Sequence, residues 1–467
     1  MSLTKATYSM IDGAPVNVRD FGATGNGGTN DTAAIKAALT ALPNGRTLFF
    51  PSGTYLVTAG EIMISGKENI SLIGEGTGTE SSGVSFRVSG TGDITKNLLE
   101  IVASNGITIS NIGFLGNSTN NPVNKSNIGV YIHRGPGYTS NISFYHCAFR
   151  YFTVGCHVGG LSGNESNNEN IRYYACYFNS NTTGYRQYWP NALQNVHEDC
   201  YYTNNDYNIW LSDATVQTGS LVIRNANFAV TGVADVYFQL PSKLDIISFR
   251  VETTPQFIKS GGFQSSAFPG FLLVGGVIVN QTDDTLPIID CKTSGFTAID
   301  CRFGEINESK FWFNLPIYRS LANFVGCSFN AATSYGLNST PGTYTFGGND
   351  GYGQYVISGC REYNATDNAY VPLPEAYYKY TPFANASGAT PSIKTRVCGL
   401  CPYLILTNAT ATIVTNFLDG YEGAEITVYI GANTTVLHST LIVFKTATNK
   451  TTGAYKFLRY ENAWYEI

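Results

Sequence analysis

The stretch Asn141-Ile-Ser-Phe-Tyr-His-Cys147-Ala-Phe149 decides the fold: apolar residues stand at 142 and 144, a small one at 147 and an aromatic one at 149. Period-2 alternation marks a half-buried strand, and the skipped place before Cys147 marks a strand end or turn. The same spelling returns in Ile107–Phe114, Ile171–Phe178, Leu221–Phe228, Phe271–Ile278, Phe296–Phe303 and Ala322–Phe329, with weaker copies centred on Cys200, Val251 and Cys360. The small position therefore falls at 112, 147, 176, 200, 226, 251, 276, 301, 327 and 360, and between 176 and 327 the step stays at 24 to 26 residues. A near-constant step of that size predicts a β-solenoid, because one coil cannot bury its apolar side alone and must stack on the next at roughly 4.8 Å. Leucine-rich repeats share the period, but their Leu-x-x-Leu-x-Leu spacing is absent.

Six of the ten cysteines (147, 176, 200, 301, 327 and 360) occupy that one small position. They read as a ladder of buried thiols rather than as a disulfide framework or metal site. Cys398-Gly-Leu-Cys401 is a lone pair with no second C-x-x-C, and reads as structural.

Composition agrees with a solenoid and excludes other classes. Of 467 residues only 13% are charged, about half the usual share, while Gly numbers 49, Tyr 31 and Phe 27. The formal net charge of −5 and the lack of Lys/Arg runs exclude a nucleic-acid binder. Plentiful aromatics exclude disorder, and no run of 18 apolar residues predicts membrane insertion. The leading residues Met1–Gly13 carry no apolar run suited to a signal peptide.

Helical signal concentrates in Asp31-Thr-Ala-Ala-Ile-Lys-Ala-Ala-Leu39, with Asp31 expected as N-cap and Pro43-Asn44-Gly45 as the stop. After about Tyr370 the repeat is lost. Val371-Pro-Leu-Pro-Glu375 reads as a linker, and from about Arg396 short strands separated by Asn/Gly turns read as a small all-β module. The expected organisation is a lead-in and helix over 1–60, a β-helix of about ten or more coils over 61–370, a linker over 371–395 and the β module over 396–467.

Three segments carry a family resemblance: Val16-Asn-Val-Arg-Asp-Phe-Gly-Ala23, Asn30-Asp-Thr-Ala-Ala-Ile35 and Phe50-Pro-Ser-Gly-Thr-Tyr55. Together they resemble the pectate-lyase-like superfamily, in which a short helix caps a right-handed parallel β-helix. The lead-in Ala6–Ile11 and the closing module look more narrowly like bacteriophage tailspike depolymerases. That resemblance implies a homotrimer in the virion tail, made in the host cytoplasm, that binds and cleaves a capsule or O-antigen polysaccharide at the cell surface. It implies that the C-terminal module assists trimerisation or glycan binding. Many tailspikes begin with a particle-binding domain, whereas here the helix follows almost at once, so attachment through the baseplate or another tail protein is expected.

The fold alone does not fix the chemistry. The Asn-Thr-Asp, Gly-His-Gly and Arg-x-Lys motifs of polygalacturonases are absent, as are the calcium-binding carboxylates of pectate lyases, so no catalytic residue carries over by motif. No metal-binding motif is present, and no metal or other cofactor is expected.

Candidates come instead from the ladder. Residues flanking the small position should face solvent, and stacking the coils gathers Tyr174, Tyr177, Glu198, Asp199, Tyr201, Arg224, Arg250 and Glu252 into one lateral patch. Glycoside hydrolysis needs two carboxyl groups, near 5 Å apart for retention and about 6.5–9.5 Å for inversion. Glu198 or Asp199 set against Glu252 across two coils gives about 10 Å before lateral offset, the arrangement of an inverting pair, with Asp206 as a competing partner. The plain alternative is a surface charge ladder. Tyr188-Trp189 and Trp210 flank the same coil and would offer flat faces to sugar rings. His197 sits at an inward position, which predicts packing; His146 sits outward. An endo-acting hydrolase is therefore the first expectation. A lyase using Tyr, His or Arg for β-elimination is the second, and a non-catalytic adhesin the third.

Overall fold

The computed structural model describes residues 13–76, 83–89, 96–116, 126–135, 137–160, 168–188, 192–211, 218–239, 243–260, 270–283, 286–290, 295–304, 313–314, 321–329, 354–364, 369–372, 403–406, 410–417, 425–431 and 433–467. The described strands between Val16 and Asn364 stack as a parallel β-solenoid, forming three long sheets of 13, 14 and 10 strands among the described residues. The 14-stranded sheet is completed by Ala369–Pro372, which pairs antiparallel with Arg361–Asn364 and so ends the parallel stacking. Val371 and Pro372, read from sequence as the start of a linker, thus belong to this strand. An edge position, where a missing N–H is tolerated, accommodates the proline.

One coil illustrates the path. Asn195–Glu198 lies in the first sheet, Tyr201–Thr203 in the second and Tyr207–Leu211 in the third. The corner from the first sheet to the second is two residues, of which the first is left-handed. His146, Ala175, Asp199, Asn225, Ser248 and Asp300 all hold φ between 48° and 58° there. Asn and Asp tolerate that region because their short polar chains bond locally. The second corner residue is the small one of the repeat.

Register places Phe249 at that position, because Arg224 pairs with Ile247 and Asn227 with Arg250. The copy centred on Val251 is therefore displaced by two residues. Phe249, unusually large for the site, is accommodated by Gly276 in the following coil, where a Cβ would come within 2.1 Å of the Phe249 ring. The thiols at Cys147, Cys176 and Cys200 are free and buried, each donating to a carbonyl of the preceding coil (Ile109, Phe144 and Tyr173) at 3.5 Å. Cys398 and Cys401 lie outside the described residues.

Inside, Phe114, Phe149, Phe178, Tyr202 and Phe228 form a continuous stack with centroids 4.8 to 5.4 Å apart. Each ring buries on the order of 150–250 Å², so this column is a major part of the core's apolar burial. His197, from the first sheet, is buried beside it, bonded to the Tyr202 hydroxyl, and burial lowers its pKa to about 3. It is a packing residue.

At the corner between the second and third sheets runs a buried polar file. Asn181 and Asn205 bond each other and the carbonyls of Phe149 and Phe178, and Asn205 passes the chain on to Asn208. Asn208 in turn donates to the fully buried Asp235 carboxylate at 2.5 Å.

The helix Thr32–Ala41 sets Ile35, Ala38 and Leu39 into the solenoid core cluster. Asp31 holds the N-cap place, yet its carboxylate turns back to accept from Thr24 N and Gly25 N, while Asn30 accepts from Thr32 N. Among the described residues, no helix is long and apolar enough to cross a membrane. A five-stranded sheet within 403–466 buries its own apolar cluster around Phe417, Phe457 and Trp464, with the Trp464 indole donating to Phe417 O at 2.9 Å.

Candidate functional site

The residues singled out from the repeat fall on three separate surfaces. Tyr174, Glu198 and Arg224 are the outward last residues of neighbouring strands in the first sheet, so Glu198 sits between the other two. Asp199 is the left-handed corner residue beside them. Tyr177, Tyr201, Arg250 and Glu252 face outward from the second sheet. There the Tyr177 and Tyr201 rings stack at 5.3 Å, the Arg150 guanidinium lies 5.9 Å from Tyr177, and Arg250 pairs with Glu252. Glu198 and Glu252 lie two coils apart as expected, but on different sheets. Asp206 occupies the corner into the third sheet, where its carbonyl accepts from Val233 N and Ala234 N.

Tyr188 and Trp210 do not bracket Glu198. Trp210 lies in the third sheet, Tyr188 directly follows a third-sheet strand, and Trp189 lies outside the described residues. The third sheet has its own outward column. In register from coil to coil it reads Met63, Glu100, Tyr131, His157, Arg186, Trp210, Tyr237, Lys259 and Asp290. His133 stands two residues beyond Tyr131 on the same face.

The chemistry converges at the top of this column. His133 Nε2 lies 2.7 Å from Glu100 Oε1, and the His133 ring stacks on Tyr131 with centroids 4.4 Å apart. In the next coil His157 points outward yet is fully buried, walled by the edges of Tyr131 (5.3 Å) and Tyr188 (5.1 Å). Arg186 donates from Nε to His157 Nδ1 at 2.7 Å, and its guanidinium lies over Tyr188 at 5.1 Å. Burial, reinforced by the charges of Arg186 and His133, holds the His157 pKa well below the usual imidazole value, so the ring stays neutral. Farther along, Tyr207, Trp210 and Tyr237 form an aromatic cluster with centroids 4.5 to 5.3 Å apart.

A carboxylate-held imidazole, a phenol, an arginine and an aromatic platform thus share one face. Such a set can move a proton, bind an anionic group and support a sugar ring. Among the described residues, no group of three or more His, Cys, Asp or Glu is arranged to hold a metal.

Sequence reading missed Glu100, Tyr131, His133, His157 and Arg186. A signal existed: Tyr131, His157, Arg186, Trp210 and Tyr237 recur at steps of 26, 29, 24 and 27, each between two inward residues. The variable step hid it.

Solenoid and column together describe a parallel β-helix with a polar, aromatic outer face. Residues 15–95 match the model of the family described as Rhamnogalacturonase A/epimerase, pectate lyase-like. Mannuronan C5-epimerase AlgE3 of Azotobacter vinelandii is 44% identical over 68 residues, covering 13% of this chain and 4% of that protein. Alginate lyase 7 of the same organism is 44% identical over 68 residues, covering 13% and 8%. The shared stretch is thus less than a tenth of either relative.

Similar solved structures include the A-module of Azotobacter vinelandii mannuronan C-5 epimerase AlgE4, with TM-score 0.45, 16% identity and coverage of 74% of this chain and 95% of that one. Another is the Dettilon tailspike protein, with TM-score 0.38, 12% identity and coverage of 68% and 61%.

Proposed function

We propose that this protein binds and depolymerises a bacterial surface polysaccharide along the outer face of its third sheet, and that the reaction is β-elimination on an acidic sugar. The observation that carries the reading is the Glu100–His133–Tyr131 group, with His157 one coil beyond Tyr131 and Arg186 two.

Elimination needs no water, metal or redox partner. A base removes the proton on the carbon next to the carboxylate, and the neighbouring C–O glycosidic bond breaks. The electron pair of the C–H bond becomes a C=C bond, and a second group protonates the leaving oxygen. Tyr131 and His133 are the proton-transfer pair, with Glu100 orienting the imidazole. Arg186 binds the sugar carboxylate and so offsets charge that builds on it as the proton leaves. Trp210 and Tyr237 support neighbouring sugars, since apolar ring faces suit the C–H faces of a pyranose.

The match over 15–95 supports the class, because its family is described by polysaccharide-directed names. The proposal extends to a tailspike role, on the resemblance of the lead-in Ala6–Ile11 and the closing module. The chain acts as a homotrimeric component of the virion tail, joined through the baseplate or another tail protein, and is made in the host cytoplasm. In this picture the solenoid is right-handed, the helix Thr32–Ala41 caps it, and the C-terminal β unit serves trimerisation or glycan binding.

Hydrolysis is a second reading, carried by the carboxylates Glu198 and Glu252, which stand two coils apart on adjoining sheets. Incubation with purified capsule or O-antigen separates the possibilities. Elimination gives oligosaccharides with rising absorbance near 235 nm, and hydrolysis gives reducing ends without it. Binding without product would leave a non-catalytic adhesin.

A further inference from the structure

The corner between the first and second sheets carries a second concentration of aromatic and charged side chains, away from the third face. Tyr145, Tyr174, Glu198 and Arg224 end four consecutive strands of the first sheet in register and form one outward column. At about 4.8 Å per coil this column is about 15 Å long. Beside it runs the row of left-handed corner residues that includes His146 and Asp199. Both tyrosines are 39% exposed, with ring centroids 6.0 Å apart, and the His146 ring stands perpendicular to Tyr174 at 6.0 Å.

The polar groups of this column are unengaged. Elsewhere on the outer surface neighbouring opposite charges pair, as Glu100 does with His133, Lys243 with Asp245 and Arg250 with Glu252. Glu198 and Arg224 are register partners on adjacent strands, yet they form no ion pair. Among the described residues, no side-chain hydrogen bond engages Tyr145, Tyr174 or Asp199 either. Exposed ring faces beside such groups match what a sugar presents. Its C–H faces lie against aromatic rings, and its hydroxyl groups donate to a carboxylate and accept from a guanidinium. Two carboxylates against one guanidinium give the patch a negative excess, which repels a polyanion and leaves uncharged sugars favoured.

We infer that this corner is a second glycan-binding site, which holds uncharged sugars of a polysaccharide without reacting with them. Tyr145 and Tyr174 carry the ring faces, while Glu198, Asp199 and Arg224 take the hydroxyl groups. The site goes beyond the proposed reaction and stands whichever chemistry the third sheet performs. In a three-sided coil the corner joining two sheets lies opposite the third. A polymer engaged at both places is held twice, and the second contact forms at the effective concentration set by the polymer between them.

Affinity electrophoresis through gels containing dextran, mannan or galactan tests the site, with polygalacturonate as the charged comparison. Wild type should be retarded by at least one neutral polymer. Tyr174→Ala should weaken that binding about tenfold and Arg224→Met about fivefold, with melting temperatures unchanged and any retention by polygalacturonate unaltered. Trp210→Ala, on the third sheet, should leave neutral binding within about twofold of wild type.

Failure of wild type to bind any of the three neutral polymers overturns the inference. So does equal loss on polygalacturonate, or loss of neutral binding in Trp210→Ala with retention in Tyr174→Ala. If Tyr174→Ala changes the sedimentation of the protein while keeping its neutral-polymer affinity, the patch is a contact between copies and the inference fails. Should Tyr174→Ala not fold, Arg224→Met against Trp210→Ala carries the comparison. Neutral binding that needs Tyr174, in a chain that yields no product from acidic polysaccharide, would sink the elimination reading and leave this site standing.

Discussion

The corner between the first and second sheets and the outer face of the third differ in how tightly geometry constrains them. At the corner each coil has two residues, one left-handed and one small and inward. That leaves room for Cys, Ala, Gly or an exceptional Phe, and the sequence repeats almost to the residue. The third sheet is entered and left by connections of changing length, from the single residue between Arg150 and Phe152 to the ten between Ser260 and Phe271. Its outward residues stand outside the main interior cluster of the solenoid, and they include Glu, Tyr, His, Arg, Trp and Lys. Regularity marks what the fold needs; the irregular face is where residues can be chosen for chemistry.

The sharpest way to break this contrast is to remove the proton-transfer group. Tyr131→Phe and His133→Ala should each lower depolymerisation of the natural polysaccharide by about 10³-fold, near 4 kcal/mol, with circular dichroism unchanged. Loss of less than tenfold in both would mean that the third face does not carry the reaction.

Asp235 gives the next effect, on stability rather than turnover. It is fully buried at the corner between the second and third sheets, with Thr231 and Asn208 donating to it, and burial raises its pKa to about 7. Its unfolded value is near 4. Below about pH 4 both states are protonated and the group costs nothing. As pH rises the unfolded chain ionises first while the fold resists until about 7, so stability falls across that window by up to about 4 kcal/mol. Asp235→Asn removes the titration and should flatten the pH dependence. The variant should melt higher than wild type at pH 8 and within a few degrees of it at pH 4. Equal pH slopes for the two proteins would show that Asp235 is ionised in the fold at neutral pH.

What could be read beforehand follows the same division. The helix at Thr32, the coil step, the thiol ladder and the inward place of His197 were legible because each depends on local pattern or on one repeated corner. The misplaced copy at Val251 shows the limit. Phe249 fills the small position only because Gly276 makes room one coil later, and a pattern that demands a small residue passes over such a pair. The site was legible in part. Tyr188 and Trp210 were noticed for their aromaticity, but assigning them beside Glu198 assumed that nearness in sequence places them on one face. In a three-sided coil, residues about ten positions apart usually lie on different sheets.

That compensation supplies the third experiment, smaller again. Gly276→Ala should destabilise by about 1–3 kcal/mol through overpacking against the Phe249 ring. Adding Phe249→Leu should recover most of the loss, and a double-mutant cycle in chemical denaturation measures the coupling. Additive effects would mean that the two positions do not touch.

The smallest effects are expected at the corner itself, where Glu198→Gln and Asp199→Asn should each change turnover by less than about threefold. Glu198 stands between Tyr174 and Arg224 at a strand end, half-exposed, and losing one surface charge of this kind costs little. Asp199 is held at φ 56°, a conformation Asn accepts as readily as Asp, so the substitution keeps the turn and changes only the charge. Replacement by valine is the control that shows the position matters to folding: a β-branched residue in the left-handed region should cost about 1–3 kcal/mol while sparing the activity of whatever protein folds. If Glu198→Gln and Asp199→Asn instead abolish turnover, and Tyr131→Phe does not, the contrast reverses. The regular corner would then carry the chemistry, hydrolysis by carboxylates would replace elimination, and the third face would serve binding.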